Sequence, residues 1–249
     1  SQVATSWVNI NEPKLDSGVY VYAFLANGYP ASTGNIPYDA SPTLYIYDMM
    51  GQEFGTSATT GTVKTGDSAG TLVTKIPTVG ASGPGALASP TLVDVDYNGV
   101  IDVAYAGDQF GNLYRFDLRG PVSTWKAHMI YKGQPTQPIT SAPAVYRKMK
   151  TNISVGFDYV DHVFGTGSDL FKHDQRSQNQ QMIMGIYDSL SERNPSTLSY
   201  NSGSILEQSY DHNATDKRYI TDAGFNPTSH KAWRIMLNEG QTGGETIVN

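Results

Sequence analysis

The chain of 249 residues contains no cysteine. This excludes a disulfide framework, a thiol nucleophile and every thiolate metal site, but assigns no compartment, because an exported protein can do without disulfides. Charge is scarce: Asp, Glu, Lys and Arg make up 16% of the sequence, and the formal net charge is −6. The basic residues are scattered, so there is no block of the kind that nucleic acid or an anionic membrane surface demands. The acidic residues form no unstructured tail. No apolar run approaches the length of a membrane span, and membrane insertion by this domain is not expected. The first residues show no leader pattern, and with Ser1 in place of an initiator Met the chain reads as an excised fragment. Histidine is sparse too. His128, His162, His173, His212 and His230 fall at no metal-ligand spacing and read as solvated or hydrogen-bonded loop residues.

Glycine, tyrosine and proline are plentiful, with 25, 16 and 13 residues. Together with low charge they point to many short strands and turns, in a chain long enough for a sizeable core. After a mixed polar lead-in from Ser1 to Leu15, strands are expected at Val19–Phe24, Leu44–Asp48 and Thr71–Ile76. The clearest hairpin runs up through Val103–Asp108, turns at Gln109-Phe110-Gly111-Asn112 and returns through Leu113–Leu118. Alternation puts Tyr114, Phe116 and Leu118 on one face of the return strand, with Leu113, Arg115 and Asp117 opposite. Residues 189–230 show little periodicity and read as loops with one or two short strands. The Gly/Thr/Ser-rich stretch 55–70 reads as a surface excursion.

The return strand recurs. Leu113-Tyr114-Arg115-Phe116-Asp117 matches Leu44-Tyr45-Ile46-Tyr47-Asp48, with weaker copies at Gly185-Ile186-Tyr187-Asp188 and Ala232-Trp233-Arg234-Ile235. Ser41-Pro42-Thr43-Leu44 and Ser89-Pro90-Thr91-Leu92 share an entry signal, echoed in Ser141-Ala142-Pro143. Sheet units repeating about every 50–70 residues are what propeller blades look like in sequence. The expected fold is all-β: a modified β-propeller of antiparallel blades, partial or distorted as a ring, with long loops. A β-sandwich is the alternative, but it leaves the recurrence unexplained.

Between two of the expected strands lies Asp94-Val95-Asp96-Tyr97-Asn98-Gly99-Val100-Ile101-Asp102. Oxygen-bearing side chains occupy its first, third, fifth and ninth positions, with Gly99 at the sixth and a backbone carbonyl available from Val100 at the seventh. That is the register of a calcium loop, in which alternate residues turn inward and the glycine makes the bend. Three carboxylates and an amide form a hard, oxygen-only set suited to Ca2+ and not to zinc or copper. Tyr105 stands where an EF-hand has its twelfth-position Glu, and strand formers flank the loop in place of helices. The simpler reading is an acidic, Asx-rich turn with no ion.

From Ser89 to Leu118 the succession Ser-Pro-Thr-Leu-Val-Asp-Val-Asp-Tyr-Asn-Gly-Val-Ile-Asp, Tyr-Ala-Gly-Asp and Gly-Asn-Leu-Tyr-Arg-Phe-Asp-Leu resembles the C-terminal domain of the PilC/PilY family of type IV pilus biogenesis and adhesion factors. Ile139–Pro143, Val163–Gly167, Met184–Asp188, Lys231–Arg234 and Gly244–Val248 follow in family order. The resemblance implies a single propeller-like domain over residues 1–249, a fragment of a larger C-terminal domain, exported to the bacterial outer membrane, cell surface or pilus tip. It implies a calcium site formed by Asp94, Asp96, Asn98, the Val100 carbonyl and Asp102, whose occupancy regulates pilus extension and retraction and surface attachment. Its partners would be pilins, the pilus assembly machinery and a host-cell receptor. No Arg-Gly-Asp tripeptide is present to engage an integrin.

Other chemistry finds less support. Integrin-type calcium-loop propellers are the nearer rival and would make this a general carbohydrate- or matrix-binding module. A quinoprotein dehydrogenase propeller would need a cofactor pocket, and no residues for one stand out. Gly165-Thr166-Gly167 lacks the third glycine of a dinucleotide loop, and Gly203-Ser204 has no nucleophile-elbow context. Asp108 and Asp117 could act as an acid–base pair, but read more simply as satisfying turn amides or pairing with Arg115. No enzymatic activity is expected. Species-specific contacts are expected in the loops at 56–70 and 191–216.

Overall fold

β-branched and aromatic residues in alternation, punctuated by Gly, Asn and Asp, produce short strands that pair with their sequence neighbours. The computed structural model describes residues 4–10, 18–29, 41–49, 52–53, 62–63, 69–81, 83–148, 159–170, 174, 177–211 and 219–237. In the first blade β1 (Ala4–Ile10), β2 (Gly18–Ala26) and β3 (Thr43–Asp48) run antiparallel. A small side hairpin, β4 (Gln52–Glu53) with β5 (Thr62–Val63), precedes the fourth strand β6 (Leu72–Pro77), which pairs with β3. The second blade runs through β7 (Thr91–Val93), β8 (Val103–Gly107), β9 (Leu113–Asp117) and β10 (Lys126–Lys132) in order.

The third blade begins with β11 (Ala144–Lys148), β12 (Tyr159–Gly165) and β13 (Met182–Ser189). An excursion then intervenes, containing β14 (Leu198–Ser199), β15 (Ile205–Gln208), β16 (Tyr210–Asp211) and β17 (Tyr219–Ile220), before β18 (Ala232–Met236) closes the blade against β13. Two of the excursion's strands pair in parallel with blades: β14 extends the second on β10, and β15 extends the third on β18. Among the described residues this gives three blades of a propeller that does not close into a ring, with no α-helix.

The recurrent motif occupies β3, β9 and β13, the third strand of each blade. Four expectations require correction. Among the described residues, 189–230 hold four short strands, β14 to β17, where one or two were expected. Ala232–Ile235 is not a further copy: it lies in β18 and pairs directly with β13, Gly185 opposite Trp233. Ser41-Pro42 leads into a third strand and Ser89-Pro90 into a first, so only Ser141-Ala142-Pro143 shares the latter's place. Proline holds the preceding residue extended, which suits entry to any strand. The polar lead-in contains β1, which pairs from Ala4 opposite Phe24 to Ile10 opposite Gly18. Gly244–Val248 and most of the stretch 55–70 lie outside the described residues.

Alternation divides the side chains between two interblade cores. Tyr114, Phe116 and Leu118 meet Phe24, Leu44 and Ile46 of the first blade. Leu113, Tyr105 and Tyr131 meet Phe164, Met184 and Ile186 of the third. Burying a side chain of this size contributes about 1.5–3 kcal/mol, and every residue of β8 and β9 is buried. The joints between blades repeat as well. The Asn27 carboxamide, after β2, donates to the Gly85 carbonyl at 2.7 Å and accepts from Leu87 N–H at 2.9 Å. The Asp108 carbonyl, after β8, accepts from Ile139 N–H at 2.9 Å. Leu87 then bridges to Asp108, and Ile139 to Gly167. In the first two blades the turn after the second strand thus grips the chain entering the next blade.

Candidate metal centre

The nine-residue loop joins the first two strands of the middle blade. Val93 pairs with Val103, and Asp102 N–H donates to the Val93 carbonyl at 3.0 Å, so the loop is pinched at its neck. Two residues inside it adopt left-handed backbone, Tyr97 with φ 59° and Gly99 with φ 87°. Gly99 takes this conformation without a Cβ penalty, while Tyr97 stores strain of the kind found where local geometry is over-determined.

Side chains fold inward on this frame. Asp94 accepts from Gly99 N–H at 2.8 Å, Asp96 from Asn98 N–H at 3.2 Å and Asn98 Nδ2 at 3.0 Å, and Asn98 Oδ1 from Val100 N–H at 2.8 Å. Asp102 Oδ2 accepts from Val95 N–H at 2.7 Å, across the loop. Carboxylate oxygens of Asp94, Asp96 and Asp102 consequently lie within 4.8 Å of one another. Asp102 is half-buried, and its carboxyl is pushed up by burial and by the Asp96 and Asp94 charges, against the Val95 N–H and Arg119 that favour the charged form. The donor set fits a hard divalent cation: three carboxylates and an amide oxygen on one short loop, with space around Gly99. Asp94, Asp96 and Asp102 are brought together; Asn98 joins them through its bonds to Asp96, and Val100 meets Asn98 through its N–H, not through the carbonyl expected as a ligand.

Beneath the loop lies a polar layer that sequence reasoning assigned differently. Leu118 N–H donates to the Asp102 carbonyl at 2.9 Å. Asp117 pairs with Arg119 at 2.6 Å, with Arg193 at 3.7 Å, and not with Arg115. Burial works against the Asp117 carboxylate, but hydrogen bonds and charge from Arg119, helped by Arg193, hold it below the usual carboxylate range. Arg115 is fully buried and turns to the third blade, donating to both Asp188 oxygens at 3.0 Å and to the carbonyls of Ser189 and Glu192. Arg119 donates to the Leu190 carbonyl at 3.0 Å. The start of the excursion is therefore held by two arginines of the middle blade. Asp108 does satisfy its turn, accepting from Phe110 and Asn112 N–H and from the Tyr114 hydroxyl.

Two of the histidines, His162 and His128, depart from the expected loop positions, while His230 keeps to one. His162 lies on β12, fully buried, its ring 3.7 Å from that of Tyr105, with no hydrogen-bond partner for either nitrogen among the described residues. Burial, then the nearby Arg115 charge, pushes it down to about 3. It alternates with Val160 and Phe164, a signal that could have placed it in the core. His128 is on β10, and His230 accepts from Asn226 N–H at 3.0 Å. His173 and His212 lie outside the described residues.

Comparison with known proteins agrees with this architecture. The family model for the PilY1 beta-propeller domain matches residues 8–222. Type IV pilus biogenesis factor PilY1 of Pseudomonas aeruginosa (strain PAO1) is 30% identical over 203 residues, covering 70% of this chain and 17% of the relative. The Type IV pilus biogenesis factor PilY1 homolog of Xylella fastidiosa is 28% identical over 168 residues, covering 64% and 11%. The chain thus spans less than a fifth of the length of these relatives. The crystal structure of the Pseudomonas aeruginosa PilY1 C-terminal domain superposes with a TM-score of 0.65 at 23% identity, over 96% of this chain and 51% of that one. The chain belongs to the PilY1 beta-propeller domain family.

Proposed function

We propose that this chain is a calcium-binding domain of a type IV pilus biogenesis factor and tip adhesin, in which calcium occupancy biases pilus extension against retraction and governs surface attachment. It works with pilins and the assembly machinery at the outer membrane, cell surface or pilus tip, and meets a host-cell receptor there. One observation carries the reading: three carboxylates converge within 4.8 Å on a loop with calcium-loop register. The relatives' name as pilus biogenesis factors supplies the setting.

Like charges at this spacing repel, so the metal-free loop is loosened. Calcium removes the repulsion and stabilises the folded loop in proportion to RT ln(1 + [L]/Kd). The change reaches beyond the loop because Asp102 is bonded to Leu118, next to the arginine that holds the excursion. The domain acts as a switch and binding module, not as an enzyme. Its buried carboxylates support this: Asp108 and Asp188 are each engaged by several hydrogen-bond donors. Quinone-dependent dye reduction by the calcium-loaded protein would argue against it.

The test replaces the native gene with Asp94→Ala or Asp102→Ala and counts surface pili and twitching displacement with and without added calcium. Altered piliation that no longer responds to calcium is the expected result. Normal, calcium-responsive pili in both variants would defeat the proposal.

A further inference from the structure

A cavity of about 390 Å3 lies between β13 and the returning excursion. Its size falls within the range of small-ligand sites, on the order of 300–1,000 Å3, with room for one or two sugar rings. The floor is apolar and buried, made by Ile130, Ile186 and Leu198. Along one wall three half-buried rings stand in series: Tyr187 to Phe225 at 4.5 Å between centroids, then Phe225 to His230 at 5.5 Å. The rim is polar, carrying Ser189, Glu192, Ser196 and Lys231.

The cavity is preformed. Arg115 donates to the carbonyls of Ser189, Glu192 and Arg193, Arg119 to that of Leu190, and Lys126 Nζ to Asn194 Oδ1 at 2.9 Å. Three cations of the middle blade therefore fix one wall in place, which lowers the ordering cost of binding. On the opposite wall, Asn226 N–H donates to His230 Nδ1, Ser229 and His230 N–H to the Asn226 carbonyl, and Lys231 N–H to the Ser204 carbonyl.

These features select a ligand. Glu192 and Lys231 carry opposite charges, and the Asp188 charge is taken by Arg115, so neither an anion nor a cation is favoured. The Glu192 carboxylate, together with the Lys231 ammonium and the Ser196 hydroxyl it bonds at 3.3 Å, offers the mixed donors and acceptors that vicinal hydroxyls need. Aromatic faces suit the C–H face of a pyranose. A peptide is less suited, because the wall backbone spends hydrogen bonds internally and the edge strand at the cavity, β14, is only two residues long. We propose that this cavity binds a neutral pyranose of a surface glycan. The proposal goes beyond the calcium loop, which does not line the cavity, and stands or falls without it.

The test applies the full chain, in calcium, to an array of immobilised neutral and sialylated oligosaccharides, followed by titration of the retained glycans in solution. Phe225→Ala and Glu192→Gln serve as variants, with urea midpoints as the control for folding. Retention of neutral glycans by the unmodified chain, weakened at least tenfold in both variants while the midpoints hold, is expected. Retention of no glycan, of sialylated glycans alone, or of neutral glycans equally well by a folded variant would overturn the assignment. So would uptake of members of a random peptide library with no sugar bound.

Discussion

Arg115 of the second blade and Asp188 of the third form an ion pair at 3.0 Å with side chains 0% and 3% exposed, and Tyr105 donates its hydroxyl to the same carboxylate at 2.8 Å. Removing one partner strands a buried charge. Arg115→Leu is expected to destabilise the domain by about 3–5 kcal/mol, and the added change Asp188→Leu to restore part of that loss. Urea unfolding of the single and double variants measures both. A single variant as stable as the parent would show that the pair does not bind the blades together.

Calcium binding is expected to disappear in Asp94→Ala and Asp102→Ala, with urea midpoints in chelator close to the parent's, because Val95 and Ile101 are the loop residues that enter the interblade cores and both are left in place. Magnesium is expected to substitute poorly, since it demands tighter octahedral geometry and keeps its waters. Calorimetry with each ion decides. Unchanged calcium affinity in both variants would remove Asp94 and Asp102 from the ligand set.

Two glycines with positive φ separate conformational cost from crowding. Gly99→Ala faces open space, so only the left-handed backbone opposes it, at roughly 1–2 kcal/mol. A Cβ at Gly111 would also stand 2.5 Å and 2.6 Å from the carbonyl oxygens of Gln134 and Gln137. Gly111→Ala is therefore expected to lose clearly more stability than Gly99→Ala, while Gly99→Ala alone weakens calcium binding. Unfolding and calcium titration of the two variants test this ordering.

His162 makes stability depend on pH. The unfolded chain takes up a proton near pH 6.5 that the folded chain refuses until about pH 3. Its contribution is whole above pH 6.5 and is lost on acidification, at about 1.4 kcal/mol per pH unit. His162→Phe keeps a ring against Tyr105 and removes the titration. Between pH 6.5 and 5 its urea midpoint is expected to fall less than the parent's, and parallel falls would count against the assignment.

Local patterns were the legible ones. The alternation of β9 correctly sent Tyr114, Phe116 and Leu118 one way and Leu113 the other, because both faces of a blade strand are buried against neighbours. The acidic loop was legible because its residues meet through bonds to neighbours within seven positions. Partners distant in sequence were not. Arg115 and Asp117 share a face two residues apart, which suggested a pair, but Arg115 reaches 73 positions ahead to Asp188 and leaves Asp117 to Arg119. Ala232–Ile235 resembled a repeat because β18, like β13 beside it, carries a single aromatic residue among aliphatic ones. The parallel returns of β14 and β15 carry too few residues to show a period.

Those returns impose an order of assembly. A chain emerging N-terminus first completes the first two blades from consecutive strands, but β13 waits through residues 190–231 for its outer neighbour. Until β18 arrives, an edge of β13 stands unpaired, the condition in which strands recruit foreign chains. The third blade thus acts as a latch set by β18. A polypeptide cut short in the excursion is left half-latched and adhesive, open to the proteases and chaperones that remove unfinished products.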